Sequence, residues 1–239
     1  MVDRTLSYGA VGNPTQIVDG VNGETINYTY DELDRLLALG ALVTKSYAYN
    51  VIGNITSKAG LAYTYNATHK HAVSTVNAGP AYGCDANGNI VTRGGQTIQY
   101  DPTNRPVKVT VGSTISRYTY DGDGKRTKRL DANGTIHYPG PHLERNLGTA
   151  TGSAPVVTKF YYATLGSQRR LIAFRKAGTV YYVGVDHLGG TARVMDSSFT
   201  AVDQTRYKSY VEARDTRAAL QTDRLFTGQT LDAIAGTYW

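Results

Sequence analysis

Pairs of Tyr residues separated by one small or polar residue recur along the chain, and an Asp or Asn directly follows each pair. The pairs are Tyr28/Tyr30, Tyr47/Tyr49, Tyr63/Tyr65 and Tyr118/Tyr120. Successive side chains of a β-strand point to opposite faces, so a spacing of two residues puts both rings of a pair on the same face. Each pair therefore predicts a strand that carries its tyrosines on one side.

Turn-forming residues follow these predicted strands. The Asp or Asn after the second Tyr can accept a hydrogen bond from the backbone two residues later, and a following Gly can adopt the positive φ of a tight turn. The same chemistry recurs at Asn22-Gly23, at Asp85–Gly88 and at Asp131–Gly134. Each unit is therefore predicted to be a strand, a tight turn and a second strand.

The units form an internal repeat. The intervals between the successive marker tyrosines are 19, 16, 17, 18 and 20 residues. One hairpin of this kind is marginal in water, whereas stacked hairpins share a sheet and align their Tyr rings in ladders. Because each hydroxyl needs a partner, we expect the rings to line a wet or polar interior. The markers are Tyr30, Tyr49, Tyr65, Tyr82, Tyr100 and Tyr120.

Two segments carry a weaker pattern. Residues 31–42 (DELDRLLALGAL) could form a short amphipathic helix, but their Asp and Arg lie where other repeats have a turn and a return strand. We therefore predict a hairpin there. Residues 211–225 (VEARDTRAALQTDRL) contain neither Gly nor Pro, which favours a helix or a long loop.

The composition agrees with an all-β fold. The chain has 19 Tyr, 4 Phe and 1 Trp together with 26 Gly, and it is 41% hydrophobic and 18% charged, which indicates a soluble, folded protein. Its single Cys84 excludes an internal disulfide and a Cys-based zinc cluster. We find no signal peptide, and the longest apolar run, residues 36–43, is far shorter than the roughly 20 residues of a membrane span.

The chain is basic, with a formal net charge of +6. Basic clusters can attract nucleic acid, acidic glycans or membrane surfaces, but more often they are solvated strand faces that discourage edge-to-edge pairing. We adopt the second interpretation and predict no specific nucleic-acid binding. The two clusters are Lys125, Arg126, Lys128 and Arg129, and Arg169, Arg170, Arg175 and Lys176.

Candidate metal sites are weak. Residues 85–89 and 121–124 resemble calcium loops superficially, but neither is followed by the Glu of a bidentate site, so we interpret both as turns. His69 and His71 are two residues apart and would share one side of a strand, but no third ligand is evident. We predict that the chain has no metal site and needs no cofactor.

Candidate catalytic residues are equally isolated. Asp186 and His187 have the residue types for acid–base chemistry, and Cys84 has the type of a nucleophile without a nearby His in sequence. We predict that the chain has no catalytic residues and is not an enzyme. Rows of Tyr interleaved with Asn, Asp and Arg are also typical of carbohydrate-binding grooves, so the alternative is an extracellular carbohydrate-binding or adhesion module that uses the Tyr-rich faces.

Four segments resemble the YD-repeat, or Rhs, family. Residues 82–107 are similar to two consecutive repeats, and His71-Ala72-Val73 lies where many members have Pro-His-Ala-Val. Residues 181–191 (YYVGVDHLGGT) resemble the family's YY…DHLGST signature. Phe226–Gln229 with Asp232 resembles FTGQxxD.

The resemblance implies a fold and a function. Stacked hairpins of the family form a curved, spiralling sheet that builds a hollow shell, of which this chain would be a part. Shells of bacterial polymorphic toxins and insecticidal toxin complexes enclose a C-terminal toxin, and related shells of teneurins serve adhesion. We therefore expect a structural, secreted or cell-surface protein that encapsulates or displays a toxin or surface domain.

The same resemblance suggests an organisation and partners. We expect a YD-repeat array over residues 1–135 and, over residues 136–239, degenerate repeats with a truncated Rhs core-like region that continue the same sheet. The family's Tyr-rich segment begins near Ala235, so we do not transfer its self-cleavage or toxin activity to this chain. The expected partners are further YD repeats or a C-terminal cargo domain, glycans under the alternative, and a second copy through exposed sheet edges.

Overall fold

The computed structural model describes residues 3–40, 45–150, 152, 154–207, 210, 213–216 and 221–238. The chain divides into two compact units, an N-terminal unit of residues 3–97 and a C-terminal unit that begins at Ile98. Across the described residues the structure is all-β, which confirms the predicted fold class. Residues 41–44, 211–212, 217–220 and Trp239, on which some sequence predictions fall, lie outside the described residues.

Short strands follow one another along the chain and are joined by tight turns. The strands are β1 (Arg4–Tyr8), β2 (Pro14–Asp19), β3 (Glu24–Tyr30), β4 (Leu36–Gly40), β5 (Lys45–Tyr49), β6 (Ile55–Lys58), β7 (Leu61–Tyr65), β8 (Val73–Val76), β9 (Gly83–Cys84), β10 (Ile90–Arg93), β11 (Gln96–Tyr100), β12 (Pro106–Val111), β13 (Thr114–Tyr120), β14 (Arg126–Asp131), β15 (Gly134–Gly140), β16 (Leu143–Asn146), β17 (Val156–Leu165), β18 (Gln168–Lys176), β19 (Thr179–Val185), β20 (Thr191–Met195), β21 (Ala201–Tyr207), β22 (Ala213–Thr216), β23 (Leu231–Asp232) and β24 (Thr237–Tyr238). One 3-10 turn, Phe226–Gly228, lies before β23.

Neighbouring strands in the chain are also neighbours in the sheets. Strands β1 to β8 form one sheet in sequence order, β9 to β22 form a 14-stranded sheet in sequence order, and β23 pairs with β24. The 14-stranded sheet runs through residue 135 without a break, since β14 pairs with β15 there. The division of the chain at residue 135 remains a prediction.

A β-bulge recurs where the second Tyr of a repeat meets the following strand. The register shifts at Thr29/Tyr30, Ala48/Tyr49, Thr64/Tyr65 and Thr119/Tyr120. A bulge leaves one residue unpaired and increases the local right-handed twist. The bulge therefore ends each pairing at the point where the turn begins.

Both tyrosines of each pair face the same side of their strand, as the spacing predicts. In β13, Tyr118 is buried and Tyr120 half-buried, whereas Arg117 and Thr119, before and between them, are exposed. We call this side of each sheet the tyrosine face. In the C-terminal unit it carries two apolar clusters, one around Val109, Tyr118 and Ala235 and one that contains Phe160, Leu171, Phe174, Val183 and Val194.

Two predictions for the weaker segments have different outcomes. Asp31 begins a tight turn and Leu36–Gly40 pairs with β3, so the first segment is the predicted hairpin within its described part. The prediction of a helix or long loop over residues 211–225 is wrong for residues 213–216, which pair with β21 as a strand. Strand pairing with a long neighbour outweighs the local helix preference of that sequence.

Among the described residues, no helix is long and apolar enough to cross a membrane.

Candidate functional site

A single side chain organises each turn that follows the tyrosine strands. In the turn after β11, the Asp101 Oδ1 atom accepts hydrogen bonds from the backbone amides of Thr103 and Arg105, at 2.9 and 3.0 Å. The third residue after Asp101 is Asn104, which has a φ of 61°. Asn and Gly tolerate this left-handed conformation best, which explains their place in the motif.

The same arrangement recurs along both units. In each case one side-chain oxygen accepts the amides of the residues two and four positions later. The first residues of these turns are Asp31, Asn50, Asp85, Asp101, Asp186 and Asp196.

An arginine links two of these turns to the next repeat. The Arg105 Nε atom donates to Asp101 Oδ2 at 2.8 Å, and its guanidinium carbon lies 5.0 Å from the centre of the Tyr120 ring. Arg35 makes the same contacts, with Asp31 at 2.6 Å and the Tyr49 ring at 4.7 Å. Each arginine therefore joins its own turn to the tyrosine of the following hairpin, which gives both an ion pair and a cation–π contact.

These contacts change the titration of the turn carboxylates. Partial burial alone would raise the pKa of Asp101, but hydrogen bonds from Arg105 and Thr103 outweigh it and hold the pKa well below its ordinary value. The pKa of Asp31 is lowered in the same way, by Arg35 and Leu33. The carboxylates therefore stay ionised acceptors throughout the neutral range.

The hydroxyl of the second tyrosine bonds back to the start of the preceding strand. The Tyr120 hydroxyl donates to the backbone carbonyl of Pro106, the first residue of the preceding strand, at 2.7 Å. Burial raises the pKa of Tyr120 to about 12, so the hydroxyl keeps its proton. We call this bond the tyrosine latch. It recurs from Tyr30 to Pro14, from Tyr49 to Leu36, from Tyr65 to Ile55 and from Tyr207 to Thr191.

Residues 221–238, here called the C-terminal segment, pack on the tyrosine face of the C-terminal unit. The Thr191 amide donates to the Leu225 carbonyl at 3.0 Å, and Lys176 Nζ donates to the Gln221 carbonyl at 3.0 Å. Ala235 is fully buried in the cluster around Val109. The segment is thus held by strands that are distant in sequence.

The FTGQxxD residues have structural roles in this segment. The Phe226 ring packs edge-on against Tyr207, with ring centres 5.4 Å apart. Asp232 is fully buried, accepts the Tyr118 hydroxyl at 2.7 Å and accepts the Ala235 amide at 3.1 Å. The motif therefore fastens the C-terminal segment to β13 and β21.

A buried ionic cluster lies beneath the C-terminal segment. Arg224 Nη2 donates to Glu144 Oε1 at 2.7 Å, and Arg129 Nε lies 2.9 Å from Asp131 Oδ2. Burial raises the pKa of Glu144 to about 7; the charge of Asp223 adds to the rise and that of Arg224 opposes it. Burial also raises the pKa of Asp223, against the attraction of Arg224 and Arg129.

A cavity of about 560 Å³ opens beside this cluster. Its lining combines Arg129, Glu144 and Asp223 with apolar side chains such as Phe160 and Leu231. The contact between Arg224 of the C-terminal segment and Glu144 of β16 joins the segment to the sheet beside this cavity. Among the described residues, no three His, Cys, Asp or Glu side chains are grouped as a metal site.

The candidate catalytic and calcium-loop residues singled out by the sequence do not line this cavity. Cys84 is a free, half-buried thiol on β9. Asp85 and Asp121 form turns, as predicted. Asp186 is also a turn former, and the His187 carbonyl accepts Arg170 at 2.9 Å. None of these contacts places an acid and a base together for catalysis.

The expectation that His69 and His71 share a strand face is wrong. Both residues lie in the turn between β7 and β8, because Asn66 opens that turn by accepting the amides of Thr68 and His69. The His71 Nδ1 atom contacts Asn54 Oδ1 at 2.6 Å.

The first basic cluster of the sequence divides between the two faces of the sheet. Arg129 is buried on the tyrosine face and pairs with Asp131, whereas Lys128 beside it lies on the opposite face, across from Thr119. Sequence reasoning missed the cluster of Glu144 and Arg224 entirely. These two residues are 80 positions apart, and neither stands in a recognisable local motif.

Comparison with known proteins agrees with this geometry. A family model described as "Teneurin YD-shell" matches residues 6–234. The fold is similar to a Photorhabdus luminescens Tc holotoxin pore with a mutated TccC3, at 15% identity and a TM-score of 0.50, over 100% of this chain and 17% of the solved chain. It is also similar to TcdB2-TccC3, at 16% identity and a TM-score of 0.50, over 98% of this chain and 17% of the solved chain. No curated protein sequence matches. The chain thus spans 17% of the length of the solved chains it resembles.

Proposed function

The chain belongs to the teneurin YD-shell family, and from this premise we propose that it forms part of the wall of a hollow β-shell. The role is structural and not catalytic. The shell encloses or displays a cargo domain, by analogy with the toxin complexes whose fold it shares, and the protein acts outside the cell or at its surface. Further repeats of the same kind and a cargo domain are the expected partners.

The observation that carries this proposal is the recurring fastening of hairpins to their neighbours. The turn of one hairpin reaches the tyrosine of the following one through Arg35 or Arg105, and the hydroxyl of the same tyrosine forms the tyrosine latch to the residue after that arginine. A continuous wall needs contacts of this kind, because every hairpin must hold its neighbours without a separate core. A ligand-binding module does not need them at every repeat.

The same contacts give no support to glycan binding through the Tyr-rich faces. Sugars stack on exposed aromatic rings, but Arg105 covers the Tyr120 ring and the Tyr120 hydroxyl is engaged with Pro106. A glycan array with Tyr-to-Ala variants separates this alternative from the wall. Loss of glycan binding without loss of fold would favour it.

A labelling experiment on the natural gene product that contains these residues tests the wall directly. After Cys84→Ser removes the native thiol, Gln96→Cys and Thr97→Cys place a thiol on opposite faces of β11. In a closed wall, a bulky maleimide reagent labels one of the two positions and spares the other, while a small maleimide labels both after denaturation.

Equal labelling of both positions by the bulky reagent in the folded product would overturn the proposal. Labelling of the denatured samples by the small maleimide is the control, because it shows that both introduced thiols are intact. Circular dichroism of each variant confirms that the strand content is unchanged.

A further inference from the structure

The cavity between the C-terminal segment and the tyrosine face has the dimensions of a ligand site. Its volume of about 560 Å³ falls within the roughly 300–1,000 Å³ of pockets that hold small molecules. Residues of β14 to β18 form its floor, and residues of the C-terminal segment form its roof. Asn133, Val156 and Ala233 are exposed members of its lining, so the cavity opens to solvent beside them.

The cavity also has the mixed lining that small organic ligands need. Ile136 and Phe160 on the floor and Leu225 on the roof are buried and supply an apolar surface. Asn146 and Gln221 also line the cavity and carry side-chain amides, which both donate and accept hydrogen bonds. Ligand pockets typically combine such an apolar surface with a few polar groups that orient the ligand.

Two of the charged residues in the lining already have ionic partners. Arg129 pairs with Asp131, and Glu144 pairs with Arg224. Each of these pairs is formally neutral, so neither calls for a further charge. The other charged residues of the lining are Asp223 on the roof and Lys176 on the floor.

Asp223 and Lys176 carry opposite charges and lack ionic partners. Within the part of the chain that the structure describes, neither residue forms an ion pair, and no other residue donates a hydrogen bond to the Asp223 carboxylate. The Lys176 Nζ atom donates to the Gln221 carbonyl at 3.0 Å. The cavity therefore contains one uncompensated negative group and one uncompensated positive group.

Burial without a contacting cation is unfavourable for the Asp223 carboxylate. It raises the pKa of Asp223, although Arg224 and Arg129 attract the negative charge from beyond ion-pair distance. A charge shielded from water is stabilised when an opposite charge and hydrogen-bond donors contact it. A ligand with an ammonium group supplies both to Asp223, and a ligand carboxylate compensates Lys176 in the same way.

The spacing of these two charges indicates the length of the ligand. The Lys176 Nζ atom contacts the carbonyl of Gln221, which is two residues before Asp223. Two residues of extended chain span at most about 7 Å, which is also about the distance between the terminal groups of an extended dipeptide.

We propose that the cavity binds a zwitterion of about the size of an apolar dipeptide. Its ammonium group pairs with Asp223, its carboxylate pairs with Lys176, and its side chains pack on Phe160 and Leu225. An amine alone would leave Lys176 without a partner, and a carboxylate alone would leave Asp223 without one. A shell wall needs no such ligand, so this site goes beyond the structural role.

The test is isothermal titration calorimetry of the full chain with leucyl-leucine and three analogues at pH 7. The free dipeptide carries both terminal charges at this pH. N-acetyl-leucyl-leucine carries only the carboxylate, leucyl-leucine amide carries only the ammonium group, and the doubly blocked peptide carries neither. We expect a Kd for leucyl-leucine below about 1 mM and binding at least about tenfold weaker for every analogue. Equal affinity for the free dipeptide and either singly blocked analogue would overturn the assignment.

Two substitutions separate the two charges from a general effect on the fold. Asp223→Asn should weaken leucyl-leucine binding about tenfold and remove the preference over N-acetyl-leucyl-leucine, because the ammonium group then has no ionic partner. Lys176→Gln should weaken binding by a similar factor and remove the preference over leucyl-leucine amide. A variant that only loosened the cavity would weaken all four ligands together, and that result would contradict the assigned roles.

Asp123→Asn and Lys70→Gln are the matched controls, because both residues are exposed and neither lines the cavity. Each should change the Kd by less than about twofold. Circular dichroism must show unchanged strand content in all four variants. The proposal is refuted if leucyl-leucine shows no saturable binding up to about 10 mM, or if the controls lose as much affinity as Asp223→Asn and Lys176→Gln.

Discussion

Like Asp31 in an earlier repeat, the Asp101 side chain does two things. Its Oδ1 atom fixes the turn through two backbone amides, and its Oδ2 atom holds Arg105 over the Tyr120 ring. Asn50 performs the first task with an amide oxygen and has no arginine four residues later. The negative charge is therefore needed for the arginine and not for the turn.

This division predicts different outcomes for one substitution at two sites. In Asp101→Asn, the amide oxygen can still accept the two turn amides, but the NH₂ group then faces Arg105 in place of a carboxylate oxygen. The ion pair with Arg105 is lost, so the thermal midpoint should fall. Asp121→Asn should leave the midpoint unchanged, because Asp121 accepts the Lys125 amide through one oxygen. Thermal unfolding followed by circular dichroism measures both. Equal shifts for the two variants would contradict the assignment of the charge to the arginine.

The tyrosine latch makes a second prediction at this scale. Tyr120→Phe removes the hydroxyl that donates to the Pro106 carbonyl and should lower the free energy of unfolding by about 0.5–1.5 kcal/mol. The matched control is Tyr161→Phe, at a residue that is 42% exposed, and it should change that free energy by less than about 0.5 kcal/mol. Urea titration measures both values. A control variant as unstable as Tyr120→Phe would show that the latch is not the cause.

At the scale of the elements, the turn requires a left-handed conformation at the third residue after the leading Asp or Asn. Gly53 has a φ of 86° there, and a β-carbon added to it would meet no atom within 4 Å. Asn104 occupies the corresponding position of another turn with a φ of 61°. The left-handed backbone conformation, and not a lack of room for a side chain, therefore determines which residue type occurs at this position.

Substitutions at Gly53 test this selection. Gly53→Asn should be nearly neutral, whereas Gly53→Val should lower the free energy of unfolding by about 1–2 kcal/mol because a β-branched residue is strained in the left-handed region. Urea titrations of the two variants give the comparison. If Val is tolerated as well as Asn, the turn does not hold the φ seen in the structure.

The elements that were predicted correctly are those specified by neighbouring residues. The Tyr pairs, the turns at Asp85 and Asp121, and the hairpin that starts at Asp31 each carry their signal within a few consecutive residues. The prediction for residues 211–225 failed at 213–216, where pairing with β21 decides the conformation. Local patterns give strands and turns, but they do not reveal which partner a weakly patterned segment finds.

The tyrosine environment was predicted in part. The spacing gave the shared face correctly, but the expectation of a wet or polar interior did not identify the hydroxyl partners. Tyr30, Tyr65 and Tyr120 donate to carbonyls of the preceding strand. Those carbonyls are 10 to 16 residues away, and no residue type marks which backbone carbonyl a hydroxyl will reach.

At the scale of the whole molecule, the C-terminal unit depends on contacts between residues far apart in the chain. The bond between Tyr118 and Asp232 spans 114 residues, and the ion pair between Glu144 and Arg224 spans 80. No local pattern could predict the candidate site, because its charged groups become neighbours only when the C-terminal segment lies on the sheet. The family resemblance predicted the motif residues but not their contacts.

The raised pKa of Glu144 gives this unit a predicted pH dependence. A carboxyl group whose pKa is higher in the folded chain binds its proton more tightly there, so its stabilising contribution is complete below about pH 4.5 and is lost as the pH rises through about 7. Glu144→Gln imitates the protonated group and should not show this loss. Wild type should therefore lose about 1–3 kcal/mol of its free energy of unfolding between about pH 5 and pH 8, relative to the Glu144→Gln variant.

Urea titrations at both pH values measure this difference. Glu32→Gln, an exposed substitution in a turn of the N-terminal unit, is the control and should follow the wild-type pH dependence. A Glu144→Gln curve parallel to wild type would mean that Glu144 does not titrate in this window.

The position of the C-terminal segment also has a consequence for synthesis. Strands β13 to β21 leave the ribosome before residues 221–238. The polar side chains on their tyrosine face that bind residues 221–238 therefore lack these partners until the last residues are translated. Glu144 and Tyr118 must remain hydrated during that delay. The hairpins can form one by one as they emerge, but their final closure depends on the last part of the unit to be made, which sets the order in which the nascent chain matures.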